Sequence, residues 1–258
     1  MKLLIFLVLI LGSVTTLGAL KKVILVTMEV PPFMSPKLPD QGAAIYALRE
    51  AFLRAGYELE MRFVPVPRMR QVGFGDDGVN GFFPSFVDEK FNEKLVLSKL
   101  FYRTPWVIVE RKDKPIIWKE ARDLLKYKGG NVAGYVLRSQ VAGAYKDNMH
   151  RLETAKNDSL NILKLIHKRV DFIFIDQNAF KFISATHPEI APYANKLAIN
   201  PNVVALNSYG VDFKDNKASR KIMDDFNAVV DEKEFTDLVS RYIERQARPE
   251  VRRPKGMK

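Results

Sequence analysis

The sequence predicts an α/β fold, and three features predict it. Short apolar runs alternate with segments of helical periodicity along most of the chain. One run, Asp171 to Ile175 (DFIFI), stays apolar at successive positions after its first residue, as a strand buried on both faces does. The 258 residues suffice for two small lobes or one large domain, and 47% hydrophobic content is enough for a sizeable core. Together these imply layered helices over largely parallel sheets.

The elements follow in chain order. Residues 1–19 read as a secretory leader. Lys2 supplies a short positive start, Leu3 to Leu11 is an unbroken apolar run, and small and polar residues follow (Gly12, Ser13, Thr15, Thr16, Gly18, Ala19). The run is shorter than the ~20 apolar residues that span a bilayer. Cleavage after Gly18 places Thr16 three residues before the cut, and cleavage after Ala19 places Leu17 there. An uncleaved anchor is the alternative. Without a cysteine behind the leader, a lipid-modified N-terminus is not expected.

Val23 to Thr27 (VILVT) reads as a buried strand. Pro31 and Pro32 then impose a non-helical turn. From Ala44 to Ala55, Ile45, Leu48, Phe52 and Ala55 recur at helical spacing with Arg49, Glu50 and Arg54 opposite, and Gly56 ends that helix. Glu58 to Val64 alternates as a second strand. Arg68 to Phe74 reads as a short helix and Gly81 to Phe83 as a very short strand. Val107 to Glu110 and Val132 to Val136 are further strands, and a helix follows from Ser139. Asp158 is expected to cap a helix with Leu160, Leu163 and Ile166 inward. Val203 to Val211 reads as the last strand. Two final helices carry Ile222, Phe226 and Val229, then Phe235, Leu238, Val239 and Ile243. No internal repeat or low-complexity tract is visible. From Arg248 the chain is polar and proline-containing, and disorder is expected there.

Composition narrows the chemistry. The chain has no cysteine, which excludes disulfides, thiolate metal sites and a thiol nucleophile. The net charge of +11 resembles a nucleic-acid footprint. Seven basic and two acidic residues between Arg241 and Lys258 account for much of it, however. A solvated basic tail near an anionic membrane explains this equally well, and the leader argues against nucleic acid as a partner.

The order of EVPPF, GAAIYALREAFLRAGYELEMRFVPVPR, GVNGFFPSFVDEKFNEKLVLSKLFY, VIVERKD and VDFIFIDQNAF resembles the family 3 solute-binding proteins of bacterial ABC transporters. The resemblance covers nearly the whole mature chain; no single motif is strict, and the ordered co-occurrence carries it. It implies a two-lobed periplasmic-binding-protein-like (type II) fold with two crossing hinge strands and a ligand held between the lobes. On this chain, lobe one is expected at residues 20–106 plus 207–247, lobe two at 107–206, and a basic disordered tail at 248–258. The crossings are expected near Val107–Glu110 and Val204–Ser208. The implied partners are a small-molecule ligand and an ABC permease or membrane sensor; a monomer is expected, with no cofactor.

Seven residues are candidate ligand contacts. Phe33 follows the double proline, where family members place an aromatic against ligand; a core phenylalanine is the alternative. Ser85 in FFPSF matches a position that offers polar groups to ligand, or is a turn serine. Asp176 ends the DFIFI strand and matches the acid that pairs with the ligand ammonium in amino-acid binders. It also suits the N-cap of a helix from Gln177 to Ile183, and both roles can hold. Arg138 and Ser139 are expected at the start of a lobe-two helix, where free N–H groups and a planar guanidinium suit an anion. Arg68 in PVPR matches the arginine of a PWxR-like pattern, with Val66 in place of the tryptophan. The main departure is Asp88-Glu89-Lys90-Phe91, aligned with the family's T-x-x-R carboxylate clamp: Phe91 stands at the arginine position. A one-residue slip would let Lys90 substitute, without the bidentate fork.

Other signals are set aside. Gly73 to Gly78 is literally GxGxxG, but it neither follows a strand nor opens a helix, and Asp76 and Asp77 would repel a pyrophosphate. His150, His167 and His187 lack metal-ligand spacing. No GxSxG elbow exists. Trp106 and Trp118 flank a lobe crossing and are expected to pack. Two functions remain: a periplasmic binding protein serving transport or sensing, or an enzyme on the same scaffold, dehydratase-like, with a degenerate signalling relative as a variant. An enzyme would need a cleft acid or base; Glu29, Asp88, Glu89 and Asp176 are available, and their spacing singles out no pair.

Overall fold

A computed structural model describes residues 20–65, 68, 72, 75, 78–86 and 95–247. The leader, the tail, Lys90 and most of the Arg68–Phe74 helix lie outside the described residues. The described elements are β1 (Lys21–Thr27), α1 (Ala43–Arg54), β2 (Tyr57–Phe63), β3 (Gly81–Phe86), β4 (Leu95–Leu97), β5 (Tyr102–Arg111) and β6 (Gly129–Val132). They continue with α2 (Ser139–Tyr145), β7 (Leu152–Ala155), α3 (Asp158–Ile166), β8 (Phe172–Asp176), α4 (Gln177–Thr186), β9 (Leu197–Lys214), α5 (Lys217–Val229) and α6 (Glu232–Ala247).

The strands join in the order β2-β1-β3-β9-β5-β8-β6-β7, with β4 also on β9. The expectation of largely parallel sheets needs correction. β1 is parallel to β2 and β3, and β6 to β7 and β8. Every pairing of β5 and β9 is antiparallel. These two strands connect the parallel groups: β9 pairs with β5 through Leu197–Tyr209, then with β3 and β4 through Tyr209–Lys214. The result is a mixed sheet carrying two α/β lobes, linked by two crossing strands.

Local sequence explains the boundaries. Gly56 has φ +85°, so α1 ends where a left-handed residue is needed. Gly42, at φ +106°, starts the same helix; a Cβ there would lie 2.6 Å from the Phe33 carbonyl oxygen. That close approach lets the Pro32 and Phe33 carbonyls accept from Ala43 and Ala44 N–H, both at 2.9 Å, satisfying two orphan donors of the first turn. β6 stops at Val132, not Val136, because Ala133 and Gly134 form a turn with Gly134 at φ +86°. β5 begins at Tyr102, five residues before Val107, and β9 is longer than Val203–Val211 at both ends.

The α3 face also needs correction. Asn157, not Asp158, is the N-cap, its side chain accepting from Leu160 N–H at 2.9 Å. The buried positions are Asp158, Asn161, Ile162 and Leu165, while Leu160 is 43% exposed. The helix has apolar residues on two sides, so the 3.6-residue period alone selects neither.

The core is continuous along α1, α3, α4, α5 and α6. Phe52 of α1 stacks on Phe226 of α5 at 4.6 Å, and Phe101 meets Phe226 edge-on at 5.3 Å. A second cluster fills the other face of the β5-β8-β6 group around Trp106, Phe172, Phe174 and Tyr145. Such aromatic pairs add ~1 kcal/mol each beyond their buried area.

Candidate functional site

β6, β7 and β8 are mutually aligned, so their C-terminal ends lie on one edge of the sheet. In α/β sheets that edge is where ligands are bound, because helix starts and loops converge there. Here it presents Tyr135 and Arg138 after β6, Asp158 after β7 and Asp176 ending β8. The crossing strands add Tyr102, Thr104 and Trp106 from β5 and Asn207 and Tyr209 from β9. Residues 102, 104 and 106 alternate with outward positions, so they share one face.

Asp176 is the centre of the arrangement. Its Oδ1 caps α4, accepting from Asn178 N–H at 2.8 Å and Ala179 N–H at 3.1 Å. Its Oδ2 is shielded from solvent and has no hydrogen-bond partner. Burial pushes its pKa up to about 6, against the opposing pull of Thr104, the two capping amides and the Arg138 charge. The side chain thus caps a helix and still keeps an open acceptor.

The aromatic frame is tied together by amides. Asn178 Nδ2 donates to the Tyr102 hydroxyl and to Thr104 Oγ1, each at 3.3 Å. Asn207 Nδ2 donates to the Tyr209 hydroxyl at 3.0 Å. Tyr102 and Tyr209 stack at 5.8 Å across β5 and β9. Burial raises both phenols, and the Asp176 charge adds to the effect, so each stays a neutral hydroxyl at physiological pH. Arg138 lies 5.5 Å from the Trp106 ring centroid, and Trp106 stacks on Phe174 at 4.9 Å, so the guanidinium rests on a fixed aromatic support.

The sequence candidates fall at different places. Asp176 and Arg138 join this cluster. Phe33 is 7% exposed and packs in the hydrophobic core, the alternative expected for it, with its ring 6.1 Å from Tyr102 beside the cluster. Ser85 is 2% exposed on β3, next to the register irregularity against β9. Ser139 is exposed and donates to Gln140 Oε1 at 3.3 Å. Arg68 is exposed. The sequence reading missed Tyr102, Thr104, Tyr135, Asp158, Asn178 and Tyr209. Only Tyr102-x-Thr104-x-Trp106 carried a visible signal, a period of two leading into VIVE. Among the described residues, no group of histidines and carboxylates is disposed to hold a metal ion, and no helix is long and apolar enough to cross a membrane.

No protein-family model matches the chain, and no curated protein matches it. Solved structures do. The GluR0 ligand-binding core from Nostoc punctiforme, in complex with L-glutamate, is 17% identical, with 85% of this chain and 98% of that chain covered at a TM-score of 0.64. The amino acid ABC transporter substrate-binding protein AbpA from Streptococcus pneumoniae, bound to L-arginine, is 16% identical over 88% and 96% of the two chains, also at 0.64. A histidine kinase sensor domain with similarity to periplasmic binding proteins is 13% identical over 86% and 95%, at 0.66. At these identities the likeness is one of fold: the chain has the two-lobed, type II periplasmic-binding-protein-like architecture.

Proposed function

We propose that the protein is an exported solute-binding protein that traps a small, polar, amino-acid-like solute or organic acid between its lobes. It hands the solute to an ABC permease or reports it to a membrane sensor. Residues 1–19 would direct export. Lobe one comprises residues 20–106 plus 207–247 and lobe two residues 107–206. The antiparallel pairing of β5 with β9 runs through both expected crossings, Val107–Glu110 and Val204–Ser208, and its register irregularities at Trp106–Val109 support a hinge at that level.

One observation carries the reading: the open Oδ2 of Asp176 at the crossing strands, among Tyr102, Tyr209 and Arg138. A buried carboxylate oxygen without a donor is costly unless a ligand supplies one. A ligand ammonium would complete Asp176, and a ligand carboxylate would meet Arg138. Phe33, Ser85, Arg68 and Lys90 would add contacts from lobe one, and Ser139 from lobe two. Closure then follows from differential affinity: the lobes shut when ligand joins contacts from both sides. The work is capture, with no covalent step. The likeness to a kinase sensor domain favours sensing as a second use of the same closure.

A thermal-shift screen with amino acids, polyamines, organic acids and short sugars tests the proposal, since a bound ligand raises the melting temperature by mass action. Asp176→Asn retains a capping oxygen but loses the charge. It should weaken any ammonium-bearing ligand by roughly 30-fold or more, as loss of one partner of a buried charge pair costs about 2–5 kcal/mol. An unchanged affinity removes Asp176 from the site. Turnover of prephenate-like acids by the wild-type protein would replace the binding reading with an enzymatic one.

A further inference from the structure

The outer side of α3 carries a cavity that solute capture leaves unused. Its volume is about 380 Å³, within the range of small-molecule sites. Ala155, Leu160 and Leu163 supply apolar wall, and Lys156, Lys164, His167 and Arg169 supply four basic side chains. No carboxylate lines it. Leu160, Leu163, Lys164 and His167 follow i, i+3, i+4, i+7 spacing, so they share one stripe of the helix, opposite the buried Ile162 and Leu165.

An exposed leucine alone needs no explanation. Leu160, at 43% exposure, differs in lining a cavity, with the half-buried Leu163 one turn further on. The charges are also informative. The helix dipole favours bases at a C-terminus, which accounts for Lys164, His167 and Arg169. Lys156 stands two positions before α3 begins, at the end where the dipole disfavours a cation. Lys164 donates to Glu153 Oε2 at 3.1 Å and to the Thr154 carbonyl oxygen at 2.8 Å. Among the described residues, Lys156, His167 and Arg169 have no side-chain hydrogen bond or ion pair.

These features fit a molecule with an anionic head and an apolar body. A cation is repelled, and a sugar finds few polar partners. No aromatic ring lines the cavity for a base to stack on. The chain's own ends have the wrong sign: residues 248–258 include five bases and one acid, and the leader carries Lys2. A bilayer favours a broad cationic face, whereas the neighbouring Lys128 and Lys114 are already paired with Glu153 and Asp171. From Leu160 to His167 the helix rises about 10 Å, enough to lay a short alkyl chain along it.

We propose that this cavity is a second binding site, separate from the crossing strands, for a free single-chain aliphatic anion: an alkyl carboxylate or alkyl phosphate. Lys156 and Arg169 hold the head, and Leu160 and Leu163 hold the chain.

Calorimetry with octanoate tests it, with butanoate as the short-chain control and octylammonium as the opposite charge. The wild-type protein should bind octanoate at least about tenfold tighter than either control. Leu160→Asp, and separately the double variant Lys156→Glu/Arg169→Glu, should each weaken octanoate at least about tenfold. Asp176→Asn should leave it unchanged. All three substituted cavity residues are exposed, so the ligand-free melting temperatures should stay at the wild-type value. No octanoate binding, equal binding of octylammonium, or octanoate binding that both cavity variants retain would overturn the proposal. So would association with vesicles of phosphatidylglycerol in phosphatidylcholine but not with octanoate. Each of these results leaves the solute-binding reading intact, because that reading rests on Asp176.

Discussion

Asp158 and Asp176 make the ligand-free protein sensitive to pH in a direction opposite to ordinary acid denaturation. Burial pushes Asp158 up to about 7 and Asp176 up to about 6. Both folded values exceed those of an unfolded chain, near 4. Between these limits the folded state holds protons that the unfolded state has released. Their contribution to stability is therefore full below about 4 and is lost as pH rises through about 6 and then about 7. The melting temperature of the ligand-free protein should fall from about pH 5 to about pH 8, and Asp158→Asn should flatten part of that slope. A slope of the opposite sign in the wild type, unchanged in the variant, would show both groups ionised in the empty site. At this scale the sequence was half informative. The capping role of Asp176 was legible, because an acid that ends an apolar strand ahead of a helical segment suits an N-cap. Asp158 was not, because its helix carries leucines on two sides: Leu163 packs against the core as expected, but Leu160 is exposed and drew the inward face the wrong way. The buried Asp158 and Asn161 share the inward face that their polarity argued against.

At the scale of elements, the parallel strands of each lobe are short and their exact seating is set by close backbone approaches. Gly81 of β3 is the sharpest case. A Cβ built there lies 2.0 Å from the Asp212 carbonyl oxygen of β9, an atom fixed by the ladder. Gly81→Ala must push β3 off β9 or distort the junction, so urea unfolding should show a loss of roughly 2 kcal/mol or more. A loss below ~0.5 kcal/mol would mean that the strand pair is looser than its register implies. Element types were readable from periodicity, since VILVT, the Ala44–Ala55 helix and DFIFI all lie where patterning puts them. Ends were readable where a glycine marks them, as at Gly56. They were missed where a strand runs on through polar residues, as β9 does through Asn200, Pro201 and Asn202. The β6 end was missed because Tyr135 and Val136 continue an apolar pattern beyond the turn at Gly134.

On the scale of the whole molecule, the strand order could not be derived from periodicity. Nothing local says that β9 returns to lie between β3 and β5, since that placement joins residues from 86 (Arg111 and Leu197) to 132 (Gly81 and Phe213) positions apart. The resemblance of ordered motifs supplied the two-lobed expectation. The same topology makes a global prediction. If the lobes close on ligand, small-angle scattering should show a smaller radius of gyration with a saturating ligand than without, and no change in mass. An identical profile in both states would remove closure from the mechanism.

The junction between the lobes has a mechanical consequence. β5 and β9 are hydrogen-bonded to each other for most of the length of β5, with register irregularities at Trp106–Val107 and Val107–Val109. If the lobes open and close on ligand as proposed, the bending element is this laddered ribbon: opening would twist it about its own axis with most rungs intact, the flexure would fall at the two slipped rungs, and the twisted backbone would itself supply the recoil.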